Sequence, residues 1–297
     1  MQARLNNLLA PHAQRWRHNT YNSLVRRFSR MQAQNLHVNG MEIPCLVAGQ
    51  GETLVLIHGF ADQKETWSLI APWLARGRRV IALDLPGYGD ASALEHPSGS
   101  AITALARFLE SFLDTLGIES AHLCGNSMGG GVALALAAQS PKRVKSLILL
   151  ASVGPSVHDS QLKECVERGV NPLLPSSMIE YEAMLDFIFE RRPPLPGPVR
   201  RHLAQRHIER REIYAAQFDH LLDDFPDEYP QLTAPTLIIH GSRDRLIHPS
   251  TATVLAQRIP GAQLVMLPAI GHAPQWEAPR KTINAIQDFL VGLGTTP

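Results

Sequence analysis

Cysteine is scarce in this chain of 297 residues, which has three: Cys45, Cys124 and Cys165. So small and odd a number excludes a disulfide framework and fits a reducing compartment. Metal-site spacing is missing as well. The chain has no His-Glu-x-x-His, no paired Cys-x-x-Cys and no phosphate-cradling Gly-Lys-Ser loop, so neither a metal nor another cofactor is expected. No run of 18 apolar residues occurs, and without one a membrane-spanning helix is not expected. Residues 5–10 are too short, and too interrupted by Asn6 and Asn7, to serve as a secretory core. A cytoplasmic protein follows, with the inner membrane surface as the one place it would meet lipid.

Net charge is also small, at +1, but it is unevenly placed. Residues 1–41 hold six arginines (Arg4, Arg15, Arg17, Arg26, Arg27 and Arg30) and no acid, which leaves 22 basic and 27 acidic residues for the remainder. Tyr21, Leu24, Val25, Phe28 and Met31 recur at helical spacing, with Arg26, Arg27 and Arg30 off that stripe. Such a helix suits an anionic membrane surface, and it suits packing on the core or on another subunit equally well. Peripheral membrane contact through residues 1–33 is one expectation, and packing is the other. Nucleic acid is not an expected partner, because no base-stacking module accompanies the arginines.

What the chain does have is a serine between two glycines, Gly125-Asn126-Ser127-Met128-Gly129, set between an apolar strand pattern and an Ala-rich helix pattern. A serine hydroxyl attacks an acyl carbon only if a base takes its proton and the side chain stands clear of the sheet. A tight strand-to-helix turn provides the exposure, and flanking glycines keep the turn free of clashing side chains. The expected order of partners is then an acid after a later strand and a histidine near the end. Residues 235–240 read as a strand followed by Gly241-Ser242-Arg243-Asp244-Arg245, which makes Asp244 the acid. Residues 263–267 read as the last strand before Pro268-Ala269-Ile270-Gly271-His272, which makes His272 the base.

The coarse layout agrees. A hairpin is predicted at 35–38 and 41–47 across Asn39-Gly40, then strands at 53–58, 79–83, 121–124, 145–151, 235–240 and 263–267. Helices are predicted at 64–75, 101–116, 128–139, 249–258 and 279–291. This alternation gives an α/β class with a mostly parallel, doubly wound sheet of about eight strands and the site at their carboxyl ends. The organisation is a basic segment 1–34, a core in two parts (35–154 and 233–297) and a helical cap 155–232 inserted after strand 6. In the cap, Ser177 and Glu180 form a capping-box signal before the stripe Tyr181, Met184, Leu185 and Ile188, and Tyr214, Phe218, Leu221 and Leu222 form a second stripe. Four prolines between residues 191 and 198 prevent one continuous helix.

Five pieces in order carry a resemblance to the α/β-hydrolase fold superfamily: His58-Gly59-Phe60, Asp84-Leu85-Pro86-Gly87-Tyr88-Gly89, the Ser127 turn, Gly241 to Asp244, and Gly271-His272. It covers about residues 35–291. By that resemblance Ser127 is the nucleophile, His272 the general base and acid, and Asp244 the group that orients the imidazole. It also implies an oxyanion hole made by the backbone amides of Phe60 and Met128. His58 and Trp276 are assigned to the substrate pocket, although His58 reads first as a structural hydrogen-bonding residue and Trp276 reads equally as the start of the last helix. Asp84 reads as the organiser of the Pro86-Gly87 turn, Cys124 as a buried thiol, and Arg206, Arg210 and Arg211 as solvated helix residues.

A serine nucleophile sets aside the branches of this superfamily that use aspartate. The Gly-Asn-Ser-Met-Gly-Gly turn, His-Gly-Phe and Gly-Ser-Arg-Asp-Arg look like bacterial monoacylglycerol lipases, esterases and phospholipases, implying a lipid ester or other small-molecule ester as substrate. The alternative is a meta-cleavage carbon–carbon bond hydrolase, which the chain resembles at residues 125–130 and at Gln275-Trp276-Glu277. It departs from that group at Ala273, where tryptophan commonly stands. Such a substrate needs a cationic site, for which Arg206 or Arg210 is available. A third alternative is a hydrolase-fold protein that binds in its pocket without turnover.

Overall fold

Asn39 and Gly40 both adopt positive φ, 51° and 77°. That geometry lets a two-residue turn fold β1 (Gln32–Val38) antiparallel onto β2 (Met41–Ala48). In the computed structural model, which describes residues 29–92, 101–219, 221 and 232–294, six further strands extend the sheet. They are β3 (Glu52–Ile57), β4 (Arg78–Leu83), β5 (Ala121–Asn126), β6 (Val144–Leu150), β7 (Thr236–Gly241) and β8 (Gln263–Leu267), and the spatial order is β1-β2-β4-β3-β5-β6-β7-β8. β2 meets β4 antiparallel, and every pair from β4 to β8 is parallel. The α/β class and the eight-stranded, mostly parallel sheet are thus as expected.

Helices cover both faces, which is why the central strands are apolar without alternation. Along β3, Val55 and Ile57 point into a core shared with α2 (Ala101–Thr115) and α3 (Met128–Gln139). Leu54 and Leu56 point into the opposite core, against Trp67, Ile70 and the helix α10 (Pro279–Gly292). All four are fully buried, each contributing roughly 1.5–3 kcal/mol by leaving water. Met31 belongs to the second core. The rest of the basic amino-terminal stripe, Tyr21 to Phe28, lies outside the described residues.

Beyond shifts of one or two residues at element ends, two departures from the sequence expectation stand out. β1 starts at Gln32, not at residue 35, and Gln32, Ala33 and Gln34 pair with Val47, Leu46 and Cys45. These first residues are exposed, so no buried alternation marks them. The helix predicted over 64–75 is broken into a 3-10 turn, Lys64–Trp67, and a short α1 (Ala71–Leu74). Pro72 has no N–H to give, and its ring would clash with the Ser68 carbonyl in a continuous helix.

Between β6 and β7 lie α4 (Gln161–Glu167), α5 (Met178–Ile188), α6 (Gly197–Glu209) and α7 (Arg211–Asp219). They share a small apolar cluster of their own, in which Tyr181, Met184, Leu185, Ala204 and Phe218 meet Leu246 of the core. Leu222 lies outside the described residues. The Ser177 hydroxyl caps α5 by accepting from the Glu180 amide at 3.2 Å, but the reciprocal half of the box is shifted. The Glu180 carboxylate takes the Ser176 amide at 2.7 Å. After β7 come α8 (Ser250–Arg258) and α9 (Pro274–Glu277). Among the described residues no helix is long and apolar enough to cross a membrane.

Candidate active site

β5 ends at Asn126, and the next residue turns sharply: Ser127 has φ 56° and ψ −120°. For a residue with a Cβ this costs on the order of 1–3 kcal/mol, so the surroundings must hold it. They do so through backbone bonds, with the Ser127 amide donating to Leu150 O at 2.9 Å and Ser127 O accepting from Gly130 at 3.0 Å. Two glycines make the turn fit. A Cβ on Gly125 would stand 2.2 Å from Gly129 O, and one on Gly129 would stand 2.2 Å from Ile57 O. Both obstacles are backbone, which cannot swing aside. Gly129→Ala is therefore expected to destabilise the fold by about 2–3 kcal/mol, read as a lower thermal midpoint, and an unchanged midpoint would mean that β3 can retreat.

The other two residues arrive from β7 and β8. Asp244 follows β7 and is fully sequestered, its Oδ1 accepting the amides of Leu246 at 2.9 Å and Ile247 at 3.0 Å. Its Oδ2 faces two imidazoles, His272 Nδ1 at 2.8 Å and His240 Nε2 at 3.1 Å. Burial works to raise this carboxyl, but the His272 imidazole and the hydrogen bonds from His240 and His272 outweigh it and hold Asp244 well below the usual carboxylate range. An ionised carboxylate only accepts, so Nδ1 of His272 carries the proton and Nε2 is left with its lone pair.

Asn126 joins the three loops. Its Nδ2 donates to Leu150 O at 3.0 Å and to His272 O at 3.4 Å, and its Oδ1 accepts from Gln275 Nε2 at 3.1 Å. Glu277 does the same between core and cap. Its carboxylate accepts the amides of Gly271, at 3.0 Å, and of Glu190 and Arg191, both at 2.9 Å. Burial raises its carboxyl against these donors. The His272 amide reaches Ile188 O at the end of α5, at 2.9 Å. The histidine loop is thus clamped to the cap.

Ser127 and His272 line one cavity of about 210 Å³ under the cap. Phe60 and Trp276 also line it, whereas Met128 is buried at the start of α3. The Gly59 position abuts the turn, because a Cβ there would be 3.2 Å from Ser127 Cβ. The Trp276 indole N–H donates to Thr66 Oγ1 at 2.9 Å, so Trp276 is both a wall residue and part of α9. His58 is a correction to the expected pocket residues. It is fully buried behind the wall, with Nδ1 2.7 Å from Gly59 O and Nε2 accepting the Leu85 amide at 3.0 Å. Burial pulls it below the ordinary imidazole range, which suits that neutral structural role. Asp84 does not bond the Pro86-Gly87 turn directly: it closes its loop at the Asp90 amide, 2.9 Å away, and ties that loop to Lys64, accepting from the Lys64 amide at 2.7 Å and from Nζ at 2.8 Å.

Arg206 and Arg210 are not solvated helix residues. The Arg210 guanidinium binds Gly87 O at 2.8 Å and Gly89 O at 2.6 Å, and Arg206 binds Gly89 O at 3.0 Å and Asp90 at 2.9 Å. Arg206 within α6 and Arg210 just past its end fasten that helix to the loop after β4. Cys124 is buried, and that burial pushes its thiol far up, which leaves it inert. Among the described residues no cluster of His, Cys, Asp and Glu could hold a metal. A wider groove of about 560 Å³ opens between β8 and α10, but its walls hold no nucleophile beside a base.

Three contributors escaped the sequence reading, Asp62 in the cavity wall, Asn126 between the loops and Glu277 at the cap, and a fourth, His240 on the acid, is visible in the sequence beside the acid loop but set aside there. His240 had a weak signal, four residues before Asp244, but the chain's 13 histidines made such proximity uninformative.

The family model of the alpha/beta hydrolase fold matches residues 52–193 and 200–279. The chain is a member of the α/β-hydrolase family. Lipase 1 of Psychrobacter immobilis is 34% identical over 250 residues, covering 80% of this chain and 77% of the lipase. The 2-hydroxymuconate semialdehyde hydrolase of Pseudomonas sp. (strain CF600) is 34% identical over 262 residues, covering 82% of this chain and 88% of that hydrolase. Among solved structures, a membrane phospholipase A described as a bacterial virulence factor superposes on this α/β hydrolase with a TM-score of 0.90. It shares 32% identity, and each chain is covered in full.

Proposed function

We propose that this α/β hydrolase cleaves carboxylic esters of lipid or medium-chain acyl groups through Ser127, His272 and Asp244. The reading is carried by one observation: the buried Asp244 carboxyl group stands 2.8 Å from His272 Nδ1, with His272 and Ser127 on the wall of the same largely apolar cavity. Nε2 of His272 takes the Ser127 proton as Oγ attacks the acyl carbon. The oxyanion forms against the amides of Phe60 and Met128, a pairing supported by the close approach of Gly59 to the turn. His272 returns the proton to the departing alkoxide and leaves an acyl-serine. Water then gives His272 a proton and adds to the acyl carbon, and the fatty acid leaves as Ser127 recovers its hydrogen.

Apolar cap side chains, Leu173, Met184, Leu185 and Leu203 among them, offer a wall suited to an acyl chain. The similarity to a lipase and to a membrane phospholipase A supports a lipid ester, and it is compatible with peripheral contact between residues 1–33 and a membrane. The rival carbon–carbon hydrolase is supported by its 34% identical relative. Against it, the guanidiniums proposed for its anionic substrate already bind Gly87, Gly89 and Asp90. The test is a steady-state panel of acyl esters of graded chain length and one vinylogous diketone acid, with Ser127→Ala as the blank. Ester turnover well above that of the diketone is the expected result, and the reverse order would overturn the reading.

A further inference from the structure

The walls of the cavity are chemically divided. The cap supplies mostly aliphatic side chains, with Tyr181, Tyr214, Arg206 and His207 among them, and the loop after β3 supplies Asp62, Gln63 and Thr66, with Trp276 beside them. An ester has the same division, an acyl chain on one side and an alcohol on the other. We propose that Asp62 is the specificity-determining residue of an alcohol subsite that accepts uncharged, hydroxyl-bearing alcohols and turns away anionic ones. This rests on the ester-hydrolase reading above.

Asp62 is half-buried, and the structure fixes it in place. Its Oδ1 accepts the Gln63 amide at 2.9 Å, and the Thr66 hydroxyl donates to the same carboxylate. Thr66 can donate because its oxygen already accepts from the Trp276 indole at 2.9 Å, so a chain of hydrogen bonds runs from Trp276 through Thr66 to Asp62. Two donors do not saturate a carboxylate, which has about four acceptor positions. The remaining capacity suits a substrate hydroxyl, whereas a second anion at this short range in a poorly solvated wall meets repulsion.

The charge of Asp62 is conditional. Burial and the neighbouring Asp84 raise its carboxyl to about 6, against the Gln63 and Thr66 hydrogen bonds and the charge of His272. The ionisable groups facing it are His272 from the loop after β8, Asp84 from the end of β4, Tyr181 of α5 and Tyr214 of α7. Arg206 and His207 of α6 share the cavity wall, bound to Gly89 and Asp90 and to Leu173 O respectively. Above about pH 6 the subsite is anionic, and below it the discrimination fades.

The experiment compares two esters of one fatty acid, a glyceryl ester and an ester on the hydroxyl of glycolate, which stays anionic throughout. The ratio of their kcat/KM values is measured from about pH 5 to about pH 8 in the wild type, Asp62→Asn and Asp62→Glu. In the wild type the preference for the glyceryl ester is expected to rise about tenfold across that range, the size of one charge–charge contact in a partly screened site. Asp62→Asn, which keeps the shape and can keep the hydrogen bonds, should give a flat and smaller ratio. Asp62→Glu should keep the rise. A wild-type ratio reproduced at every pH by Asp62→Asn would overturn the subsite while leaving ester hydrolysis intact. No turnover of either ester by the wild type, or turnover undiminished in Ser127→Ala, would instead overturn the ester reading and the subsite with it.

Discussion

Ser127→Ala is expected to lower kcat for ester hydrolysis by about 10⁵- to 10⁶-fold while leaving the fold in place. The size follows from what is removed. Oγ is the atom that bonds to the acyl carbon, so without it no acyl-enzyme forms, and only binding and oxyanion stabilisation persist. Alanine inherits the backbone strain at φ 56° unchanged, and the turn stays pinned through Leu150 O, Gly130 and Val153, so the thermal midpoint should barely move. Two measurements check this. Steady-state hydrolysis of a chromogenic acyl ester reads the loss, and a fluorophosphonate probe should add its mass to the wild type at Ser127 and fail to label the variant. Wild-type turnover in Ser127→Ala, or labelling of a different residue, would remove Ser127 from the mechanism.

The turn could be read in the sequence because its constraints are local and steric. Gly125 and Gly129 sit where any Cβ would strike a backbone oxygen, and such a requirement writes itself into the residue types. Asp244 and His272 were legible because each stands just past an apolar strand, and the parallel register of β7 and β8 brings those strand ends together. Legibility ended where exposure or distance took over. Gln32 to Gln34 pair with β2 yet are exposed, so no burial pattern announces them. Periodicity over 64–75 suggested one helix, but the backbone chemistry of Pro72 divides it. His58 was drawn toward the pocket by its place beside Gly59, while its real partner, the Leu85 amide, is 27 residues away. Asn126 and Glu277 owe their roles to groups from different segments of the chain, and no short stretch of sequence encodes that meeting.

Asp244→Asn tests the proton arrangement. It should lower kcat by about 10⁴-fold, a loss on the scale known for that exchange in a serine protease, with little change in the unfolding midpoint. The carboxylate accepts at Oδ2 from both His272 Nδ1 and His240 Nε2, and at Oδ1 from two backbone amides. In the variant the Leu246 and Ile247 amides hold the amide oxygen, which turns the NH₂ toward the imidazoles. His240 can still donate to Ile247 O at 3.1 Å, so its position survives. His272 has no such second acceptor on that side, and its Nδ1 must accept from the new NH₂ and give up its proton. The proton then resides on Nε2, the nitrogen that has to receive hydrogen from Ser127, and the nucleophile stays protonated. Proton NMR of the imidazole and kcat for a chromogenic ester read the two consequences separately. Full activity in Asp244→Asn would mean that His272 is oriented without its acid, and His240 would then be the group to examine as the source of that order.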